Sequence, residues 1–344
     1  MLKRKLLITA LLPAIILTIL MLSWKGDAWE QHVRAAMYKI KGDSIAVYVQ
    51  EFTDSAGIPY VHYARENGVY AGYQYNATIV ANYAIAYYDT LVENPDPALE
   101  HRFKNCVYWL KENISYVRGF ALYQYNWQQP WYPNVRVPYT SGMTSGRAIE
   151  ALCYGFMQWK DSSLLNAAMQ LMRGYYLPIQ QGGFTYRQEN GWWYEELADT
   201  GLKTPRILDG HIYAISGLFP LLSLSNNNDS VRHLISQGLS LLRHSLPQYS
   251  HGRYWSIYDG YGNKADNKYH KILTGQMKEL WKLTGDSMFK AYYDNWNKSL
   301  TKNYVLKAIE ERNRSAFALA VIVFLVNLTL LTILVNALYN WKGR

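Results

Sequence analysis

Two long apolar runs frame this chain of 344 residues and limit what can lie between them. Residues 6–22 are uncharged over 17 positions and follow Lys3, Arg4 and Lys5. Residues 315–338 are uncharged over 24 positions, interrupted only by polar residues such as Asn327 and Asn336. A helix needs about 20 apolar residues to cross a hydrocarbon core of about 30 Å. The second run exceeds that length, and the first just reaches it. A cleaved signal peptide is the alternative for the first, but Met21–Asp27 offers no small-x-small cleavage site, so an uncleaved anchor is expected. A buried core helix is the alternative for the second, and its length argues against that. Lys3, Arg4 and Lys5 hold the N-terminus in the cytoplasm, so residues 27–314 are expected to cross. The basic flank before the second run pulls the other way. The first helix usually dominates, and Lys342 and Arg344 suit a cytoplasmic tail. The expectation is a two-pass membrane protein with an extracytoplasmic (periplasmic, extracellular or lumenal) domain tethered at both ends.

Charge then takes on a different meaning. The net charge of +9 sits in the flanks of the apolar runs, and residues 27–297 carry none. A globally basic nucleic-acid binder is excluded on that distribution. Two cysteines, Cys106 and Cys153, cannot build a disulfide scaffold. Buried free thiols are the simpler reading, and one disulfide stays open. The compositional excess that needs explaining is aromatic, with 31 Tyr and 12 Trp.

Between the anchors the apolar spacing is helical. Helices are expected over residues 73–93, 97–116, 141–159, 161–176, 206–224, 229–246, 268–283 and 286–304. They form four pairs whose starts recur at roughly 65 residues, as in a helical hairpin array closing into an α/α-barrel, an incomplete toroid. Residues 27–70 read as a mixed preamble, strand-like at 45–50 and 69–72. The expected division is 1–26 anchor, 27–70 preamble, 71–305 helical domain, and 306–344 second anchor and tail. Loops rich in Gly, Trp and Tyr separate the pairs at 120–138, 181–204 and 251–267, and ligands usually bind at such loops.

Four clusters could carry chemistry. Gly191-Trp-Trp-Tyr-Glu-Glu-Leu197 sets carboxylates beside aromatic rings, as sugar sites do; a solvated acidic turn is the bland alternative. Gly252-Arg-Tyr-Trp-Ser-Ile-Tyr-Asp259 precedes Asn267-Lys-Tyr-His270 across a Gly-rich loop, so Tyr258 and Tyr269 can converge. A tyrosine with a pKa near 10 serves as a base only where cations lower it, and Arg253, Lys264, Lys268 and His270 are close in sequence. Core tyrosines are the alternative. Pro138-Tyr-Thr-Ser-Gly-Met-Thr-Ser-Gly-Arg147 opens a helix with small residues, for an anion or simply for capping by Thr140 or Ser141. Leu208-Asp-Gly-His211 opens another, where His211 is a packed histidine or a ligand. No metal motif, dinucleotide fingerprint, P-loop or Gly-x-Ser-x-Gly elbow is present, so no cofactor is expected.

In this order the segments resemble the C-terminal helical domain of the D-glucuronyl C5-epimerases, the heparan/heparosan epimerase family. The likeness runs through Tyr73-Gln-Tyr-Asn-Ala-Thr-Ile-Val-Ala-Asn-Tyr83, Tyr139-Thr-Ser-Gly-Met-Thr-Ser-Gly-Arg-Ala-Ile149, Gly191-Trp-Trp-Tyr-Glu-Glu196, Leu208-Asp-Gly-His-Ile-Tyr-Ala-Ile-Ser-Gly-Leu218, Ser256-Ile-Tyr-Asp259, Lys268-Tyr-His270 and Gln276. It implies an α/α-barrel isomerase that converts D-glucuronic to L-iduronic acid within a polysaccharide. Tyr258 and Tyr269 fall on family tyrosines that act in proton transfer, and Glu196 on an active-site carboxylate. The family usually has Tyr at the position of Leu197 and commonly Asn at Asp209, and an arginine expected after Asp259 is missing. The β-rich domains that precede the helical domain in animal enzymes have no counterpart either, as in a reduced, membrane-tethered version.

The chemistry implied is removal of a hydrogen α to a carboxylate, which needs a base, an acid on the opposite face, and neutralisation of the enolate-like charge. Tyr269 and Tyr258 are the base and acid candidates, with Glu196 standing in for the tyrosine absent at Leu197. Arg147, Arg206 and Arg253 are candidate carboxylate clamps. Trp193, Tyr194 and Trp127 are candidates for stacking on sugar rings, and Tyr139 and His270 complete the expected substrate contacts. The expected partners are an anionic uronic acid polymer and the membrane, with no nucleic acid; a homodimer is compatible with the reading. A polysaccharide lyase shares the C5 abstraction. An inactive polysaccharide-binding module is the non-enzymatic alternative, and a glycosidase built on Glu195, Glu196 or Asp209 is a third.

Overall fold

The computed structural model describes residues 2–40, 49–201, 204–311 and 314–342. The chain is mostly helical and divides into two units: Val49–Lys298 forms one, and Met1–Tyr48 with Ser299–Arg344 the other. The first helix, α1 (Leu2–Ile40), belongs to the second of these.

The central unit opens with a three-stranded antiparallel sheet, β1 (Val49–Thr53), β2 (Pro59–Tyr63) and β3 (Gly72–Gln74), in the order β1-β2-β3. Most of the strand expected at 45–50 lies outside the described residues. The helices then start where side chains can cap them. Asn76 accepts from Thr78 N at 2.9 Å to open α2 (Ala77–Glu93), which leaves Tyr73 in a strand rather than in the expected helix. Asp96 accepts from Ala98 N at 2.8 Å, with Pro97 at the first helical position, to open α3 (Pro97–Glu112). The 120–138 stretch holds strands: β4 (Ser115–Val117) pairs with β5 (Phe120–Leu122), and β6 (Gln124–Tyr125) with β7 (Tyr139–Thr140). Ser141 caps α4 (Gly142–Trp159) and Asp161 caps α5 (Ser162–Gly174).

The remaining loops are also two-stranded ribbons, β8 (Thr185–Gln188) with β9 (Gly191–Tyr194), and later β10 (Ser250–His251) with β11 (Trp255–Ser256). Between them, the helix expected over 206–224 is broken into α6 (Leu208–Ser216) and α7 (Leu218–Leu224) at Gly217. Asn228 caps α8 (Asp229–Ser245). Asp266 caps α9 (Asn267–Thr284), Gly285 ends it at φ +72°, and α10 (Ser287–Leu300) follows. One continuous apolar core runs through these helices, and Cys106 and Cys153 are buried in it as free thiols.

The other unit adds α11 (Tyr304–Glu311) and α12 (Arg314–Lys342). Two helical stretches are long and apolar enough to cross a membrane, Ile8–Glu30 and Arg314–Trp341, with mean hydropathies of 1.9 and 2.8. Every fourth residue of α1 (Ala10, Ala14, Thr18, Leu22, Gly26, Glu30) is buried. This stripe meets Ser315, Ala316, Leu319, Val323 and Asn327 of α12, with α11 beside it. Asn327 Nδ2 donates to Thr18 Oγ1 at 3.0 Å, and Ser315 Oγ donates to Glu30 at 2.7 Å. Those two pairs make α1 and α12 antiparallel. Small residues let the helices approach, and the polar pairs lock their register, while Leu12, Ile16, Leu20, Leu330, Ile333 and Leu334 face outwards.

Candidate active site

Four elements of the central unit bring Glu196, Asp209, Tyr258 and Tyr269 together. Glu196 follows β9 and lies against the first turn of α6, where a Cβ on Gly210 would overlap its carboxyl group. Glycine is needed there for that close approach. Asp209 stands in the same turn, 3% exposed, and Gln276 of α9 grips its backbone carbonyl at 3.0 Å. The β11–α9 loop is tied to the same point: Leu208 N donates to the Tyr258 carbonyl at 3.0 Å, and Tyr258 N donates to the Asn263 carbonyl at 2.7 Å. Tyr258 therefore meets Tyr269, from the first turn of α9, with ring centroids 4.5 Å apart.

Aromatic rings surround the cluster. Tyr125, Tyr139, Leu197 and Ile207 are buried together, with Trp127, Tyr132 and Tyr258 packed against them. Trp127 stacks on Tyr63 at 4.7 Å and meets Tyr139 edge-on at 5.9 Å. The Tyr132 hydroxyl donates to Asp259 at 2.8 Å, and Asp259 also accepts from the amides of Tyr261 and Asn263, which folds the loop carrying Tyr258.

The electrostatics reverse one expectation. Among the described residues, no cation lowers the two tyrosines. Burial raises Tyr258 and Tyr269 well above the usual phenol value, and the Asp209 and Glu196 carboxylates raise them further. At rest both are neutral phenols, which suits the acid role and opposes the base role expected of Tyr269. Burial also raises Glu196 and Asp209, and the pair repels through its own charges. Glu196 is opposed by both Asp209 and Glu195, whereas the amides of residues 209 and 210 and the Lys268 ammonium favour ionised Asp209. Three buried acceptors at this point, Glu196 Oε2, Asp209 Oδ1 and Gln276 Oε1, have no hydrogen-bond partner among the described residues. Unpaired buried oxygens are costly, and donors such as sugar hydroxyls would satisfy them.

Other expected contacts lie elsewhere. Arg253 is exposed, over its neighbour Tyr254 at 5.6 Å. Arg147 is engaged by Glu150 at 2.6 Å and Asn82 at 2.8 Å, over the Tyr213 ring. Arg206 lies over the Tyr186 ring at 4.7 Å. Trp193 and Tyr194 are core residues: Trp193 stacks on His211 at 3.9 Å, and the Tyr194 hydroxyl donates to the Leu234 carbonyl. His270 is fully buried, stacked on Trp255 at 4.1 Å, with Nδ1 facing Ser256 and Nε2 facing the Trp296 carbonyl. His211 likewise packs, its Nδ1 accepting from Tyr194 N at 3.0 Å. Alternation in β9 explains these placements poorly, because α8 packs along β9 and the adjacent residues Trp193 and Tyr194 are both buried. Of the expected ring-stacking residues, only Trp127 is half-exposed beside the cluster; Tyr139 is buried behind it. Sequence reading missed Tyr132, whose loop position carries no periodic signal, and gave Asp209 a catalytic role only in the glycosidase alternative. Gly210 was the available clue. Among the described residues, no group of three His, Cys, Asp or Glu side chains could hold a metal ion.

Glu195 has a separate job. Its carboxylate accepts from Thr204 Oγ1 at 2.5 Å and Arg206 N at 3.1 Å, holding the approach to α6. Burial pushes it up to about 7. The unfolded chain loses this proton in the ordinary carboxylate range. Between the two values the folded state binds more protons, so stability falls as pH rises. Glu195→Gln cannot ionise and should gain on the wild type across that window by on the order of 2–3 kcal/mol. Chemical unfolding at about pH 5 and about pH 8 measures this; a difference independent of pH contradicts it.

A model of the D-glucuronyl C5-epimerase C-terminus matches residues 118–298, more than half of the chain and all four members of the cluster. The chain belongs to this family. An uncharacterized protein of Methanocaldococcus jannaschii is 24% identical over 261 residues, covering 71% of this chain and 83% of that protein. Among solved structures, cellobiose 2-epimerase from Spirochaeta thermophila is similar with a TM-score of 0.44 at 12% identity, over 66% of this chain and 60% of that one. A GH76 alpha-mannanase from Bacteroides thetaiotaomicron has a TM-score of 0.47 at 11% identity, over 82% and 71%. Family membership makes the function of the carbohydrate epimerase type.

Proposed function

We propose that the protein inverts C5 of D-glucuronic acid residues, giving L-iduronic acid within an extracytoplasmic polysaccharide. The observation that carries this reading is the meeting of two neutral tyrosines with two carboxyl groups that each have a buried oxygen without a partner among the described residues. Epimerisation α to a carboxylate asks for groups on both faces of C5 and for a way to hold the enolate-like charge. The Tyr258–Tyr269 pair delivers or relays the proton. Glu196, held protonated by its surroundings, donates a hydrogen bond to the substrate carboxylate as charge develops, as a carboxylic acid kept neutral by its site can do. Lys268, over the Tyr269 ring at 5.5 Å, adds a positive charge at the rim. Trp127 offers a face for a sugar ring. The four helical pairs from α2 to α10 would close as an incomplete α/α-barrel over roughly residues 71–305, with the loop ribbons at one end.

The test is incubation with a heparosan-like polymer in deuterated water, read by proton NMR. Loss of the C5 proton signal with appearance of iduronic acid supports the reading. A rise in ultraviolet absorbance from an unsaturated product would make the protein a lyase, and binding without exchange would make it an inactive binding module.

Antiparallel α1 and α12 set the basic termini on the same side, which supports a cytoplasmic placement for both. Protease added from the cytoplasmic face of sealed vesicles should therefore spare residues 49–298. Cleavage within them from that face overturns the topology.

A further inference from the structure

The proposed reaction leaves one position unfilled. Both tyrosines rest as neutral phenols, kept so by burial and by the Asp209 and Glu196 carboxyl groups, which outweigh the Lys268 ammonium over the Tyr269 ring. Glu196 faces two other carboxyl groups, which oppose its ionisation. A base is still required.

We propose that Asp209 is the general base, its Oδ1 taking the C5 proton on one face of the sugar while the Tyr258–Tyr269 pair protonates the other. This assignment rests on the epimerase reading above.

Geometry carries it first. Asp209 is 3% exposed, and its Oδ1 has no partner among the described residues. An acceptor buried without a partner costs about 1–3 kcal/mol and calls for an explanation. Its backbone is fixed from two sides: Gln276 donates to its carbonyl at 3.0 Å, and the preceding amide, Leu208 N, donates to the Tyr258 carbonyl at 3.0 Å. The base is thus tied through one hydrogen bond to the strand end that carries the acid. Gly210 lets Glu196 lie against the same turn, which brings the neutral acid to the substrate carboxylate.

The charges around Asp209 then decide which acid ionises. Glu196, from the segment after β9, opposes its ionisation, as do burial and the hydroxyl-bearing rings of Tyr258, Tyr269, Tyr132 and Tyr213 if they ionise. Lys268 from α9 and the amides at the N-terminus of α6 favour it. Arg147 and Glu150 of α4 and Glu279 of α9 act on the Tyr213 side of α6. Of the two central carboxyl groups, Asp209 alone has this support. Its carboxyl remains above the ordinary range, and a base poised towards the working pH is the more effective one.

The protons balance. The C5–H bond breaks, its proton goes to Asp209 Oδ1, and its electron pair enters the substrate carboxylate as an enediolate hydrogen-bonded to Glu196. A tyrosine hydroxyl then gives its proton to the opposite face of C5. The phenolate that remains recovers a proton from Asp209 across the cluster, and the resting state returns without any other reactant.

The experiment uses the full chain in detergent, with C5 exchange in deuterated water measured across pH for wild type, Asp209→Asn and Asp209→Glu. Circular dichroism and thermal unfolding report on the fold. Asp209→Asn should lower exchange at least about a hundredfold while retaining polymer binding. Asp209→Glu should recover part of the rate with a displaced acidic limb, because the base now has a different pKa. Exchange in Asp209→Asn within a few-fold of wild type overturns the role, and so does an acidic limb that does not move in Asp209→Glu. If Asp209→Asn fails to fold, the limb of Asp209→Glu decides alone. Rate loss on chelation, restored by a divalent cation, would overturn it too, since the unpaired oxygens would then be metal ligands. Silence of the wild type on every uronic acid polymer removes the epimerase reading and this role with it; wild-type exchange with an unimpaired Asp209→Asn removes the role alone.

Discussion

Tyr269→Phe is expected to reduce exchange of the substrate C5 hydrogen with deuterated water at least about a hundredfold. The change deletes one hydroxyl and leaves the ring, so the packing on Tyr258 at 4.5 Å is kept. Folding should lose only about 1 kcal/mol, the usual worth of one hydrogen bond. Activity should lose far more, because the hydroxyl belongs to the linked pair that carries the proton. The surroundings also fix the sign of the pH effect. Burial and the two carboxylates raise the phenols, so the proton-donating form persists well above neutral pH. The alkaline side of the wild-type profile should therefore be broad. Exchange at the wild-type rate in Tyr269→Phe refutes the assignment, and a sharp loss just above neutrality would mean that a different group is the acid.

The largest effect on stability is expected at Gly146. Here α4 crosses α6 backbone against backbone. A Cβ at Gly146 would stand 2.7 Å from Ala214 Cα and overlap the Tyr213 carbonyl, and one at Gly217 would stand 2.8 Å from Gly146 Cα. These neighbours are main chain and cannot rotate away. Gly146→Leu must separate the helices, at a cost of about 3 kcal/mol or more. Because α6 carries Asp209, the cluster should loosen as well. Gly275 of α9 is the internal control: a Cβ there meets nothing within 4 Å, so Gly275→Ala should stabilise by about 0.5–1 kcal/mol. Urea unfolding of both variants tests the pair. Similar midpoints for Gly146→Leu and wild type would contradict the close crossing.

Much of the helical order was legible because its signals are local. Asp96-Pro97, Ser141, Asp161, Asp266 and Gly285 act through the amides and carbonyls of their own turns, so each helix boundary is written within a few residues. The break at Gly217 was not legible, because the helix stops there to admit α4, a partner 70 residues away in the chain. Trp193, Tyr194 and His270 misled for the same reason. A polar aromatic looks the same on a sugar-binding face as in a core, and only the burial of each ring against His211, Leu234 and Trp255 distinguishes them.

From the residues alone came the apolar lengths of the two terminal helices, the neutrality of what lies between them, and the family, all carried by composition and contiguous motifs. Tertiary structure decided which titratable groups meet. Asp209 and Glu196 are separated by a loop in sequence and share one turn of space, because Gly210 has no side chain to keep them apart. Placing two acids and two phenols in one buried cluster reverses the local pKa logic: Arg253, close to Tyr258 in sequence, is turned outwards, and carboxyl groups distant in sequence are turned in. Charge interactions act through space and burial, neither of which linear spacing encodes.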